Sequence, residues 1–155
     1  MHLTQHTDFS LRVLMYLGVV QDQLVTIDEL AKNLHISRNH LTKIVHRLAK
    51  LGYVTTLRGK GGGMHLARQP NQVNIGAVIR DTEPGTQLID CHDPPCSIAG
   101  VCQLVGALSR ARAAFFETLD RVTLADLVKN QAALRQRFAE GQTTLAGIDI
   151  LSQNH

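Results

Sequence analysis

The chain has 155 residues, 44% of them hydrophobic, which is enough for one ordinary core and close enough to globular usage to exclude wholesale disorder. No apolar run approaches the roughly 18 residues of a membrane helix, and the opening MHLTQHTDFS lacks the basic-then-apolar plan of a signal peptide. The net charge of +3 conceals an imbalance: residues 1–70 carry 9 Lys/Arg against 4 Asp/Glu, and residues 71–155 carry 7 against 9. Between Glu29 and Asp81 there are nine Lys/Arg, four His and no acid. A solvated surface usually mixes its signs, so an acid-free interval of this length points to a polyanionic partner.

In chain order, DFSLRVLMYLGVV at 8–20 places Phe9, Val13, Tyr16, Leu17 and Val20 at helical spacing. In TIDELAKNLHIS, Thr26 and Glu29 make a capping box at the start of a second helix, with Ile27, Leu30, Ala31 and Leu34 as its apolar stripe. After a break at His35-Ile36, Ser37 caps a third helix that Gly52 ends. Leu41, Ile44, Val45 and Leu48 form that helix's inward face, and Asn39, Lys43, His46 and Lys50 its outward one. Two helices joined by a tight turn, the second polar and basic, match a helix-turn-helix whose second helix enters the major groove. A helical hairpin with a solvated face reads the same way so far.

The next segment separates the two. YVTTLRGKGGGMHLAR reads as strand, turn and strand, Val54–Leu57 and Met64–Ala67, and a hairpin directly after a recognition helix is a wing. Glycines 59 and 61–63 permit close approach to a phosphate chain, and Arg58 and Lys60 flank the tip, in reach of phosphates or a minor groove. A nucleotide-binding P-loop needs Lys followed by Ser or Thr at a helix start. Here Lys60 precedes three glycines. The expected DNA surface is therefore Ser37, Arg38, Asn39, His40 and Lys43 on the helix, with Arg58, Lys60, Gly61 and Gly62 on the wing.

NIGAVIRDTEPG predicts a short helix stopped at Pro84-Gly85. From about Val101, the residues Val101, Leu104, Val105, Leu108, Phe115 and Leu119 predict a long amphipathic helix. Its apolar face exceeds what a winged-helix core uses, which implies pairing with a second copy, with some packing on helix 8–20 as well. The segment from Gln131 is weakly patterned and reads as a mobile tail with helical fragments.

All three cysteines fall in CHDPPCSIAGVC at 91–102. A disulfide framework wants an even count and an oxidising compartment, and with no export signal the expected location is the cytoplasm. Structural zinc prefers tighter cysteine pairs and four ligands, and His92, adjacent to Cys91, can hardly share its ion. A redox relay uses Cys-x-x-Cys, which is absent. Thiolates on separate irons suit a wider loop, stiffened here by Pro94-Pro95. Spacing alone favours a cluster over zinc without closing the choice.

LTQHTDFSLRVLMYL, SRNHLTKIVHRLAKLGYVTTLRGKGGGMHLAR, the cysteine loop and TLADLV together resemble the winged-helix iron–sulfur regulators that include NsrR, IscR and RirA, and most of all the NsrR branch. The resemblance implies a dimeric repressor, bound to a palindromic operator while its iron–sulfur cluster is intact and released when nitric oxide attacks the irons. It implies Cys91, Cys96 and Cys102 as ligands of a cluster, 4Fe-4S preferred and 2Fe-2S possible. The IscR branch places a histidine ligand three residues after the third cysteine, where this chain has Val105. A cubane has four irons for three thiolates, and Asp8 of the partner subunit is the expected fourth ligand, because helix 8–20 is the element best placed to cross a dimer. An acid in a first turn is equally favoured by the helix dipole.

The expected architecture is mainly α with a small β-hairpin: a winged helix-turn-helix at 1–84, a cluster loop at 85–102, dimerisation helices at 101–130 and a tail at 131–155. Its competitors are an iron- or redox-sensing repressor of the same architecture and, last, an iron–sulfur electron carrier or enzyme. The last would need a substrate site, and no paired carboxylates or Ser/His/Asp constellation appears.

Overall fold

A computed structural model of the chain describes residues 2–21, 23–91 and 95–140. His92, Asp93, Pro94 and the tail beyond residue 140 lie outside the described residues. The elements run α1 (Gln5–Val19), α2 (Ile27–Leu34), α3 (Arg38–Lys50), β1 (Val54–Leu57), β2 (Gly63–Leu66), a single 3-10 turn (Pro70–Gln72), α4 (Ile75–Thr82), α5 (Leu104–Leu119), α6 (Leu124–Leu127) and α7 (Gln131–Glu140). The expectation of a mainly helical fold with one antiparallel hairpin holds.

Helix α1 starts three residues before the apolar pattern that predicts it. Thr4 is the cap, accepting from the Thr7 backbone N–H, and the polar first turn QHTD gives no hydrophobic signal of a start. Glu83, just past α4, reinforces this end by accepting from the Thr4 backbone N–H at 3.1 Å and from its hydroxyl at 3.1 Å. The helix is buried on more than one face: Leu14 and Val19 are as hidden as Val13, Tyr16 and Leu17. Helices α2, α3, α4, α6 and α7 all pack around it, so a single stripe understates its contacts.

The core joins Leu30, Leu34 and Ile36 from the α2 region, Leu41, Ile44, Val45 and Leu48 from α3, and Val78 and Ile79 from α4. All four inward residues assigned to α3 are buried. Strands β1 and β2 pair in the register Val54↔Leu66 to Leu57↔Gly63. Val25 adds a bridge to the outer side of β2, exchanging backbone hydrogen bonds of 2.9 and 2.8 Å with Met64. Tyr53, buried at the wing's root, donates to Asp81 Oδ2 at 2.6 Å. The hairpin is thereby held on both sides and at its base.

Two segments distant in sequence complete the core. Asn74 and Thr123 form a β-bridge, with Ile75 N–H donating to Val122 and Leu124 N–H donating to Val73. Leu124, fully buried, and Val128 lie against Gly18 of α1. Helix α7, in the weakly patterned stretch after Gln131, rests on α1: Arg135 donates to the Val19 carbonyl at 2.8 Å, and the Phe138 ring meets Tyr16 edge-on at 5.1 Å. Helix α1 has no basic residue in its last turn, so Arg135 supplies from outside the cation that a helix C-terminus favours.

Candidate nucleic-acid interface and cysteine loop

Ser37 caps α3, accepting from His40 N–H at 3.4 Å, and this sets which side chains lead the helix outward. Arg38, Asn39, His40 and Lys43 are exposed, as are His46 and Lys50 further along. Thr42 and Arg47 share that exposure. The expected reading face is thus presented as one polar surface. An orientation on DNA additionally requires free guanidinium and amide groups, and here there is one restraint. Arg38 Nη1 lies 2.7 Å from Asp28 Oδ1, both side chains being about two-thirds exposed. Asp28 looks in sequence like a dipole-complementing acid in the first turn of α2 and gives no hint of this pairing. So exposed a pair is worth little, which leaves Arg38 free to exchange the carboxylate for a base or phosphate.

His40 has a neighbour that helical periodicity within α3 does not reveal. Its ring lies 6.3 Å from that of Phe9, and a 170 Å³ cleft between α1 and α3 is bordered by Gln5, His6, Phe9, His40, Lys43 and Ile44. The first turns of α1 therefore border the reading face. Asp8 stands in this region, paired with Arg12 at 2.7 Å, and Arg12 also lies over the Phe9 ring.

The wing tip is built by its glycines in two different ways. Gly59 and Gly61 have φ of 102° and 80°, a region closed to most side chains, and Gly62 N–H donates to Gly59 at 2.9 Å to close the turn. Gly62 and Gly63 do not have positive φ. They are required for space, since a Cβ on Gly62 would overlap the Leu57 carbonyl oxygen and one on Gly63 would press on Val25. Lys60 is thus held between two left-handed glycines with Arg58 beside it, both exposed.

In the cysteine loop, Cys96 N–H donates to the Cys91 carbonyl at 3.2 Å, and Ala99 N–H to that of Cys96 at 3.2 Å. Gly100, with φ of 88°, then turns the chain toward α5. All three cysteines are free thiols, partly exposed. The Cys91 thiol is pushed above its ordinary value, first by partial burial, then by the sulfurs of Cys96 and Cys102 and by Asp90. Three free, partly exposed thiols in one loop are the soft donors that a thiolate-ligated cluster takes. Among the described residues no three His, Cys, Asp or Glu side chains form a group able to hold a metal ion. Asp8 is not brought to these cysteines within the subunit; its described partner is Arg12.

Following the loop, α5 buries only Phe116. Ile98, Val101, Leu104 and Val105 are 55%, 79%, 52% and 42% exposed, a run of apolar side chains from the loop into the helix. The expected long amphipathic helix is present, starting at Leu104 instead of Val101 because Gln103 and Cys102 belong to the loop. No helix among the described residues is long and apolar enough to cross a membrane.

A helix-turn-helix with an exposed polar second helix and a glycine-tipped hairpin after it defines a winged helix-turn-helix, a DNA-binding class. The chain belongs to the Rrf2 family: the family model described as "Iron-dependent Transcriptional regulator" matches residues 3–130. It is 44% identical over 144 residues to the HTH-type transcriptional regulator NsrR of Geobacillus kaustophilus, covering 90% of this chain and 98% of that one. With the protein of the same name from Bacillus subtilis it shares 44% over 135 residues, covering 84% and 92%. Among solved structures, T. potens IscR superposes with a TM-score of 0.68 at 23% identity, covering 95% of this chain and 94% of that one. The protein is a DNA-binding transcriptional regulator and not an enzyme.

Proposed function

We propose that the chain is a dimeric, cytoplasmic repressor that binds a palindromic operator while an iron–sulfur cluster is held in its cysteine loop, and that nitric oxide abolishes this binding. The observation carrying the proposal is that Cys91, Cys96 and Cys102 are free, partly exposed thiols of one loop, tied by the Cys96 N–H to Cys91 carbonyl hydrogen bond, in a family whose model is described as iron-dependent. The cluster, when bound, supplies irons that nitric oxide attacks. The resemblance to the NsrR branch supports that choice of signal.

The residues divide the work. Cys91, Cys96 and Cys102 hold the cluster, 4Fe-4S being preferred, with Asp8 of the partner subunit as fourth ligand. Partly exposed Asp8 would exchange the Arg12 guanidinium for an iron, a bond weaker than a thiolate's to iron and hence a labile point. The exposed apolar run from Ile98 to Val105 supports pairing of α5 with a second copy, which also brings two reading helices into the two-fold arrangement a palindrome requires. Arg38, Asn39, His40 and Lys43 read or flank the major groove from the Ser37-capped end, while Arg58, Lys60, Gly61 and Gly62 carry the wing onto the backbone.

The family description favours one second reading, an iron-sensing repressor with the same architecture. Anaerobic purification, an absorption spectrum and an operator-binding assay separate the two. Release by stoichiometric nitric oxide, with holo-protein indifferent to external chelator, supports the first. Release by chelator with no response to nitric oxide overturns it, and stoichiometric zinc without inorganic sulfide overturns both.

A further inference from the structure

Within one subunit, the hydrogen bonds that tie helix α5 to the core among the described residues lie at its C-terminal end. Its C-terminal end is fixed by a clasp: Arg80 of α4 grips the Asp120 carboxylate with two hydrogen bonds, Nη1 to Oδ1 at 2.6 Å and Nη2 to Oδ2 at 2.7 Å. The same guanidinium lies 4.3 Å from the centre of the Phe116 ring, and Arg112 covers that ring at 5.9 Å. Asn74 Nδ2 donates to the Asp120 carbonyl at 2.7 Å. Asp120 sits so close over the start of α4 that a Cβ on Gly76 would overlap its Oδ1. Just beyond, the Asn74–Thr123 bridge and buried Leu124 join the chain to the core. The other end of α5, about 24 Å away at 1.5 Å per residue, follows Cys102 directly and has Leu104 and Val105 exposed.

From the clasp, α4 leads to the reading helix. Asp81, next to Arg80, accepts from Tyr53 through its carboxylate at 2.6 Å and from Arg47 of α3 through its carbonyl at 3.0 Å. Cysteine loop, α5, clasp, α4 and α3 are thus joined within one subunit by packed helix and short hydrogen bonds.

We infer that Arg80 and Asp120 are positioning residues for the DNA switch: they make α5 a lever whose loop-side end, paired with the second copy in the proposed dimer, follows the cysteine loop and whose fixed end sets α4, and through Asp81 the reading helix. This rests on the cluster-gated reading above. It differs from any link through Asp8, because the lever works inside one subunit. Spatial continuity does not by itself establish coupling, so the test measures coupling.

The ratio of operator affinities of cluster-loaded and cluster-free full-length protein is determined by anaerobic fluorescence anisotropy. The probe is a palindromic duplex selected from a randomised library with the loaded wild type. A coupling of ordinary size gives a wild-type ratio of about 5–150-fold. Asp120→Asn is expected to keep the absorption spectrum and nitric oxide response of the chromophore while the affinity ratio falls to within about 3-fold of one. Tyr53→Phe, which removes one hydroxyl from the path and keeps the buried ring, is expected to reduce the ratio by a smaller factor. An unchanged ratio in both, with only lower thermal stability or equal weakening of both forms, overturns the lever and returns the clasp to a purely structural role. A wild-type ratio of one, or no cluster at all, overturns the underlying reading as well.

Discussion

Two residues of opposite character at the DNA surface, Arg38 and Lys60, should separate sequence reading from backbone attachment. Arg38 and Asn39 lead the capped end of α3, the end proposed to meet base edges. Their replacement by alanine should cost about 1–3 kcal/mol on the preferred operator and flatten discrimination between operator variants, measured by competition binding. Lys60, fixed between Gly59 and Gly61, offers a point charge. Lys60→Ala should weaken binding to all duplexes alike and lower the salt-dependence slope by about one. Wild-type behaviour in both variants would remove this face from the interface. Asp8→Ala tests the partner-subunit ligand: the expected product keeps iron and sulfide but shows a shifted spectrum and altered nitric oxide kinetics. An unchanged spectrum and reactivity would leave Asp8 with the Arg12 pair and the helix dipole alone.

At the scale of elements, α2 and α3 were legible because each has one apolar face and a recognisable cap, Thr26 and Ser37, and α4 because Pro84-Gly85 stops it, while its Asn74 cap is seen only in the structure. Helix α1 was misjudged at its start because Thr4 is followed by polar residues, and in its stripe because a helix surrounded by neighbours has no single stripe. The wing was visible in its glycines, but not the division between Gly59 and Gly61, which need the left-handed region, and Gly62 and Gly63, which need space. That division yields an expectation. Gly62→Ala should strain the hairpin by about 1–3 kcal/mol, seen as weaker operator binding with unchanged helical circular dichroism. The lone bridges Val25–Met64 and Asn74–Thr123 escaped sequence reading, since a one-residue pairing has no period. The cysteines were legible as a single loop of free thiols, yet nothing in their spacing specifies which element lies across from it.

For the whole molecule, the core stripes and the cysteine loop involve separate residues, so replacing Cys91 by serine should abolish the chromophore and leave secondary structure and dimer mass intact. A collapse to unfolded monomer would instead make the loop part of the folding core. Stability should fall on the acid side for a definable reason. Burial raises the Glu83 carboxyl, but hydrogen bonds from Thr7 and Thr4 outweigh it and the net shift is downward from 4.5. A carboxylate depressed in the folded state stabilises above its unfolded value, and the benefit is lost as pH falls through the folded one. Glu83→Gln should therefore lower Tm by about 2–4 °C at neutral pH, with the difference shrinking below pH 4.5. A constant difference across that range would show that charge at Glu83 contributes nothing.

The bridge between Asn74 and Thr123 also orders events in time. Synthesis proceeds from the N-terminus at about 5–20 residues per second, and Leu124 and Val128, which cover Gly18 of α1, emerge after the whole cysteine loop. The winged-helix half therefore cannot finish its own interior until the cysteine loop has been made. A nascent chain stalled ahead of residue 124 would lack the side chains that cover Gly18, so under the proposed function the order of translation guards against a reading head without its switch.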